Sequence, residues 1–273
     1  MEYKPSLPEE NYNVSHAKPF REFLEIAFSL LLIGVVVFLL LGWMVDLIVE
    51  RMSPATEASI HSMMSSKLIT TPRELAARQV DVQQLVDRLQ QCAGGRSAPV
   101  QVIMNPKANA AVLPGGGMLV FSGLLDDMKS ENGLSFVLAH ELAHLQHRDH
   151  LRGMGRALVL VATFAVLTGG SGDVSDLIAP ATQLGVAQYS RARESMADAA
   201  ALKMLHCRYG HVGGATELFD KLKQGDDAWA VSHYLRSHPL TRPRIDELNK
   251  TMVQRGWARH PVLPLKLAPV AAR

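Results

Sequence analysis

Two cysteines, Cys92 and Cys207, are all the chain has in 273 residues. They can pair in an oxidising compartment or remain buried thiols, so they leave the redox setting open. Aromatic side chains are scarce, at 6%, which argues against a base-stacking surface. The net charge of +2 is carried by scattered lysines and arginines, too weak a balance for a nucleic-acid partner. No internal repeat is present. Charge is also missing locally: from Ile26 to Val45 the chain reads IAFSLLLIGVVVFLLLGWMV without a charged residue.

As a helix that run is about 30 Å long, the thickness of the bilayer's hydrocarbon core, and Trp43 sits where an amphipathic ring favours the interface. A cleaved signal peptide fits poorly. The run starts late, exceeds a usual signal core, and lacks a clear small-x-small cleavage site after it. No cysteine follows closely, which disfavours a lipoprotein anchor. The expectation is a retained single-pass anchor in the cell (inner) membrane, touching lipid through residues 26–45. Lys18 and Arg21, with Lys4 further out, precede the run, and Arg51 stands nearly alone after it. The positive-inside rule then puts the C-terminal domain on the exported, periplasmic side.

The remaining segments divide by composition. Residues 1–22 read as a flexible tail, 23–48 as the anchor, and 49–70 as a juxtamembrane linker. Residues 71–256 form the folded domain, and the proline-bearing residues 257–273 a loose tail. The domain opens on Thr71-Pro72-Arg73-Glu74, with threonine as N-cap, proline at the first helical position and glutamate completing a capping box. Val82, Leu85, Val86 and Leu89 follow at helical spacing. Two strand-like runs, Val100–Met104 and Met118–Phe121, flank turn-rich sequence. Helical patterns then cover Leu134–Leu151, Ala181–Leu205 and Thr241–Gln254. The apolar run Ala157–Leu167 is short for a second crossing and suits a buried or interfacial helix. The fold class is therefore mainly α with a small β-sheet.

Within the first of those helices, His140-Glu141-Leu142-Ala143-His144 is HExxH. Positions i and i+4 share a helix face, so both imidazoles meet at one point. Imidazole suits zinc, a catalytic zinc keeps one coordination position open, and Glu141 is placed to act as general base on a water there. The third ligand is open between two candidates. His150 has the spacing of the HExxHxxGxxH pattern, but His147 stands where that pattern has a helix-breaking glycine. In a continuing helix His150 lies about 15 Å along the axis from His140, too far to share an ion. The other candidate is Glu194 in SRARESMAD, with Asp198 one turn on to orient an imidazole. By itself that stretch reads as a solvated charged helix face. Beside an upstream HExxH, the ligand reading prevails.

HELAH, SRARESMAD and then SHPLTRPRI in this order, with NAAVLPGGGMLVFSGLL upstream, resemble the HtpX and CAAX prenyl protease family of membrane-associated zinc endopeptidases. The likeness covers roughly residues 71–256. It implies a zincin-like metallopeptidase domain with one zinc ion held by His140, His144 and Glu194, and Glu141 as base. It further implies Asp198 as the acid behind a ligand, His238 stabilising the tetrahedral intermediate, and Arg244 as its accompanying arginine. HtpX-type members have several membrane spans and prenyl proteases are far more hydrophobic, so cleavage of prenylated peptides is not expected. The better comparison is a bacterial branch with a largely soluble catalytic domain, acting on unfolded or membrane-protein polypeptides in quality control. The strand after Pro114 is expected to pair with substrate. The rival expectation is a membrane-tethered, zinc-binding chaperone-like module without turnover.

Overall fold

The computed structural model describes residues 19–53, 55–57, 59, 71–94, 98–113, 116–167, 190–224, 234, 238 and 242–271. The chain divides into two units between Met44 and Val45. The first contains most of α1 (Pro19–Arg51), which is exposed from Phe20 to Leu40, whereas Val49 near its end is buried. It is the one helix among the described residues long and apolar enough to cross a membrane. The expected tail, up to residue 18, and most of the expected linker lie outside the described residues.

The second unit is mostly helical around a three-stranded sheet. After a 3₁₀ turn at Arg73–Leu75 come α2 (Ala76–Ala93), β1 (Val100–Ile103), β2 (Ala110–Val112) and β3 (Met118–Phe121). Then follow α3 (Ser122–Asp127), α4 (Glu131–Gln146), α5 (Asp149–Leu167), α6 (Arg191–Tyr209), α7 (Glu217–Gln224) and α8 (Arg242–Gln254). The sheet order is β1-β3-β2, with β3 parallel to β1 and antiparallel to β2. β3 is thus the central strand, and both of its edges are paired.

The centre of the unit is α4. It is buried on every side from Asn132 to His144, because it packs against β2, α2 and α6 at once. Its start is well capped: Ser130 Oγ accepts from Gly133 N at 2.9 Å, and Glu217 Oε1 of α7 accepts from Lys129 N at 2.7 Å. A carboxylate there also faces the positive end of the helix dipole. Gly133 makes this possible, since a Cβ would lie 2.3 Å from Glu217 Oε2. On α2 the apolar residues foreseen at helical spacing, Val82, Leu85, Val86 and Leu89, are all buried. Each full burial of such a side chain favours folding by roughly 1.5–3 kcal/mol. Cys92 at the end of α2 and Cys207 near the end of α6 form a disulfide, choosing one of the two states left open above.

Four local expectations differ from the structure. Thr71 does not cap a helix; its hydroxyl accepts from Val102 N at 3.2 Å, and the helix begins after the 3₁₀ turn. The helical pattern through Leu151 breaks at His147–Arg148, where Arg148 takes a φ of 54°. α6 starts at Arg191 with Ser190 as its cap, and residues 181–189 of that expected helix are outside the described ones. The terminal stretch expected to be loose is tied along the domain through residue 271. Leu265 N donates to Lys129 O, Ala268 N to Asp81 Oδ2 and Ala271 N to Glu74 O, at 2.9, 2.8 and 3.1 Å. Proline-rich sequence lacks periodicity, but its remaining N–H groups still seek acceptors.

Candidate metal centre

α4 brings His140 and His144 to one point and α6 brings Glu194 to the same point. His140 Nε2 lies 3.0 Å from His144 Nε2 and 3.5 Å from Glu194 Oε2. His144 Nε2 lies 3.3 Å from Glu194 Oε1. All three side chains are buried. His238 joins them: its Nδ1 is 3.2 Å from His140 Nε2 and 3.0 Å from Glu194 Oε1. One ligand atom from each of these four residues falls within a 4.8 Å cluster.

The proton inventory shows what such a cluster demands. His140 Nδ1 is 2.9 Å from Asp198 Oδ1, and His144 Nδ1 is 2.9 Å from Asp149 Oδ2. Both carboxylates are acceptors, so each Nδ1 carries the hydrogen and each Nε2 presents a lone pair inward. Two imidazole lone pairs and a carboxylate face one another with no donor among them, an arrangement that a bound cation satisfies. The spacing fits a metal. Ligands about 2.0–2.1 Å from a tetrahedral ion are about 3.3 Å apart, which the edges given above bracket. The residues therefore fit a zinc-type ion.

Electrostatics agree. Burial alone would lower the His140 imidazole, yet hydrogen bonds and charge from Asp198 and Glu194 raise it to about 10, the mark of a site poised for positive charge. Glu194 is pushed up by burial but held far below the usual carboxylate range by the imidazoles of His140, His144 and His238 beside it. Asp198 and Asp149 are likewise depressed against burial, the first by His140 and Arg244, the second by His144 and Arg193. Arg244 binds Asp198 through Nε and Nη2, both at 2.8 Å, while its Nη1 is 2.6 Å from Glu194 Oε2. That last approach is an ion pair rather than a directed hydrogen bond, since Glu194 Oε2 has no hydrogen-bond partner among the described residues.

Glu141 lies beside the cluster, fully buried, with Oε1 3.3 Å from His238 Nε2 and 3.4 Å from the Tyr234 hydroxyl. Its Oε2 is buried without a hydrogen-bond partner among the described residues, a vacant acceptor where a general base needs one. Tyr234 stacks on the His238 ring with centroids 4.6 Å apart. Burial and the charge of Glu141 push its phenol well above the ordinary range. Burial lowers His238, which favours its neutral form.

Every residue proposed from sequence for this site, His140, Glu141, His144, Glu194, Asp198, His238 and Arg244, is brought to it. His150 is not. The helix break that the glycine-less sequence argued against does occur, one residue late at Arg148, but it turns Asp149 rather than His150 toward His144. His150 is buried elsewhere, its Nε2 4.0 Å from Glu57 Oε1, beyond hydrogen-bond reach. Asp149 and Tyr234 were missed. A carboxylate five residues after the second histidine was the available signal for the former.

Comparison with known proteins places these residues in context. The sequence profile of Peptidase family M48 matches residues 76–252. A mitochondrial metalloendopeptidase OMA1 from Schizosaccharomyces pombe is 30% identical over 157 residues, 55% of this chain and 45% of that protein. Metalloprotease YcaL from Escherichia coli is 30% identical over 161 residues, 56% of this chain and 62% of its own. A protease HtpX homolog from Halobacterium salinarum is 30% identical over 146 residues, 48% of this chain and 49% of that protein. The likeness to HtpX expected from the motifs is thereby found, over about half the length of these relatives.

Proposed function

The chain belongs to peptidase family M48, and on that premise we propose that it is a membrane-anchored, zinc-dependent endopeptidase. Its substrates in this reading are unfolded or membrane-protein polypeptides, and its role is quality control of the membrane or envelope. The observation that carries the reading is the convergence of His140, His144 and Glu194 lone pairs within 3.0–3.5 Å, beside a base with a vacant oxygen. Zinc bound there supplies a Lewis acid that brings the pKa of a water toward 7 and polarises the scissile carbonyl.

The protein's own residues do the rest. Asp198 and Asp149 hold the two imidazoles in the tautomer that binds metal, and Arg244 steadies both Asp198 and Glu194. Glu141 takes the proton of the attacking water and returns it to the leaving amine, so the C–N bond breaks to acid and amine. His238 and Tyr234, stacked together at Glu141, are the donors available to the developing oxyanion. The strand expected from sequence to pair with substrate, β3, is unsuited to that role because both its edges are taken. The edge strand of the sheet on the α4 side is β2, Ala110–Val112, and it takes that role instead.

α1 supports anchoring, and the Cys92–Cys207 disulfide supports an oxidising, exported side for the domain. Retention of Glu141 with a vacant buried oxygen speaks against a chaperone-like module, which needs no base. The test is hydrolysis of an unfolded casein-type substrate by the full chain and by Glu141→Gln. The variant is expected to lose roughly 10²–10⁴-fold in rate while keeping its metal; equal activity would sink the mechanism.

A further inference from the structure

α5 begins as scaffold for the metal centre and ends exposed. Its first residue, Asp149, holds His144, and Leu151 is buried. From Ala157 to Leu167 it carries no charge, yet Leu158, Leu160 and Val166 are 52%, 55% and 81% exposed. A helix of a water-soluble domain hides such a face, and an apolar face left open marks a contact surface.

The direction of α5 is fixed by its partners from Val45 to Met52, the last two turns of α1 and the residue after it. Arg148 Nη1 donates to Met52 O and Val49 O at 2.9 and 3.0 Å. Further along, Arg152 Nη1 donates to Asp46 O at 3.3 Å and Arg156 Nη2 to Asp46 Oδ2 at 2.8 Å. A Cβ on Gly155 would lie 2.5 Å from Val45 Cγ1, so the helices approach closely there. As α5 advances, its partners step back from Met52 to Val45, the last residue of the charge-free run. The turns of α5 beyond Arg156 therefore continue past the level of Asp46 and Val45. At that level Asp46 faces three guanidinium groups, those of Arg152, Arg156 and Arg193, at 3.2, 2.8 and 3.3 Å, and with Asp149 on Arg193 two carboxylates meet three arginines. The surplus of positive charge collects where the apolar stretch of α5 begins, the level at which lipid phosphates lie.

We propose that Ala157–Leu167 of α5 enters the near leaflet of the bilayer, with Arg152 and Arg156 among the lipid phosphates. The proposal rests on the reading of α1 as a membrane span. At 1.5 Å per residue the stretch is about 16 Å long, half the ~30 Å hydrocarbon core, so it enters without crossing. A second copy of this chain is the poorer occupant, because it would bring the same surplus of arginine to the contact, whereas phosphates neutralise it. The proposal also narrows the substrate class. Asp149 lies about 12 Å along the helix from Ala157, so the metal centre stands close above the headgroups. An extended peptide rises about 3.4 Å per residue, and bonds only about four residues out of the bilayer come within reach. The enzyme is thus built for juxtamembrane segments.

The experiment places nitroxide labels on the full chain in phosphatidylcholine–phosphatidylglycerol vesicles. Sites are Val166→Cys, Leu32→Cys in α1 as a bilayer reference, and Val253→Cys, 81% exposed on α8, as an aqueous one. The native cysteines are engaged in the disulfide, so only the added thiol takes the label. Relaxation by oxygen against relaxation by a water-soluble nickel chelate is expected to shift at 166 to the side seen at 32, opposite to 253. A label at 166 that nickel reaches as at 253, or that neither reagent reaches, overturns the proposal. A nickel-accessible label at 32 overturns the span and this proposal with it. None of these readouts depends on proteolysis, so failure of the peptidase reading is seen separately.

Discussion

Asp149 offers the cleanest test of how the metal centre is held, because its loss disturbs little else. Its Oδ2 accepts from His144 Nδ1 at 2.9 Å, and its other oxygen pairs with Arg193. Arg193 keeps a second carboxylate, Asp46 at 3.3 Å, so removing Asp149 does not strand the guanidinium. Removing the equivalent acid on the other imidazole, Asp198, would also take both of its hydrogen bonds from Arg244, which touches the metal-site Glu194, and confuse the result. In Asp149→Ala the buried Nδ1–H loses its acceptor, a cost of about 1–3 kcal/mol for an unsatisfied buried donor. Acids behind metal-bound histidines are generally worth 10–100-fold in metal affinity, or about 1.4–2.7 kcal/mol, which agrees. We expect Asp149→Ala to lose roughly 100-fold in zinc affinity by chelator competition, and Asp149→Asn, which can still accept from Nδ1, roughly 10-fold. Circular dichroism at the assay temperature guards against simple unfolding. Folded variants that bind zinc within twofold of the parent would refute the assignment.

Three further outcomes are expected from the structure. Glu194→Ala should abolish stoichiometric zinc binding while His150→Ala retains it, as metal analysis after dialysis will show; the reverse pattern would restore His150 as the ligand. Burial lowers the His150 imidazole from its ordinary 6.5 to about 4. Between those values the unfolded chain binds a proton that the folded chain does not. Its contribution is therefore complete above pH 6.5 and falls by about 3 kcal/mol as pH drops toward 4. Urea midpoints at pH 7.5 and 5 should converge in His150→Leu; an unchanged pH dependence counts against this. Opening the disulfide, which joins residues 115 apart, releases loop entropy worth about 4–5 kcal/mol. Cys92→Ser with Cys207→Ser should then melt roughly 10 °C lower, and an unaltered melting temperature would contradict it.

The features legible in the sequence were those that depend on helical period. HExxH places two imidazoles on one face by geometry alone, and Glu194 with Asp198 repeats that spacing on α6. The buried face of α2 was legible for the same reason. Other features depend on a single backbone angle or on contacts distant in sequence, which no period encodes. Asp149 reaches His144 only because Arg148 adopts a positive φ, a conformation uncommon for a residue with a Cβ. β2 is three residues long, too short to show alternation. Tyr234 becomes meaningful only when α4 lies beneath it. The last residues of the chain have no pattern at all and are placed by backbone hydrogen bonds to Lys129, Asp81 and Glu74.

The bond between Cys92 and Cys207 closes the intervening chain into a covalent ring. His140, Glu141, His144, Asp149, Glu194 and Asp198 all lie inside that ring, whereas His238 and Arg244 lie outside it. A single cut anywhere between the two cysteines therefore releases nothing. If it falls between α5 and α6, one piece keeps the histidines and the other keeps Glu194, but the two remain one molecule. A copy nicked once there still carries His140, His144 and Glu194 in one covalent molecule.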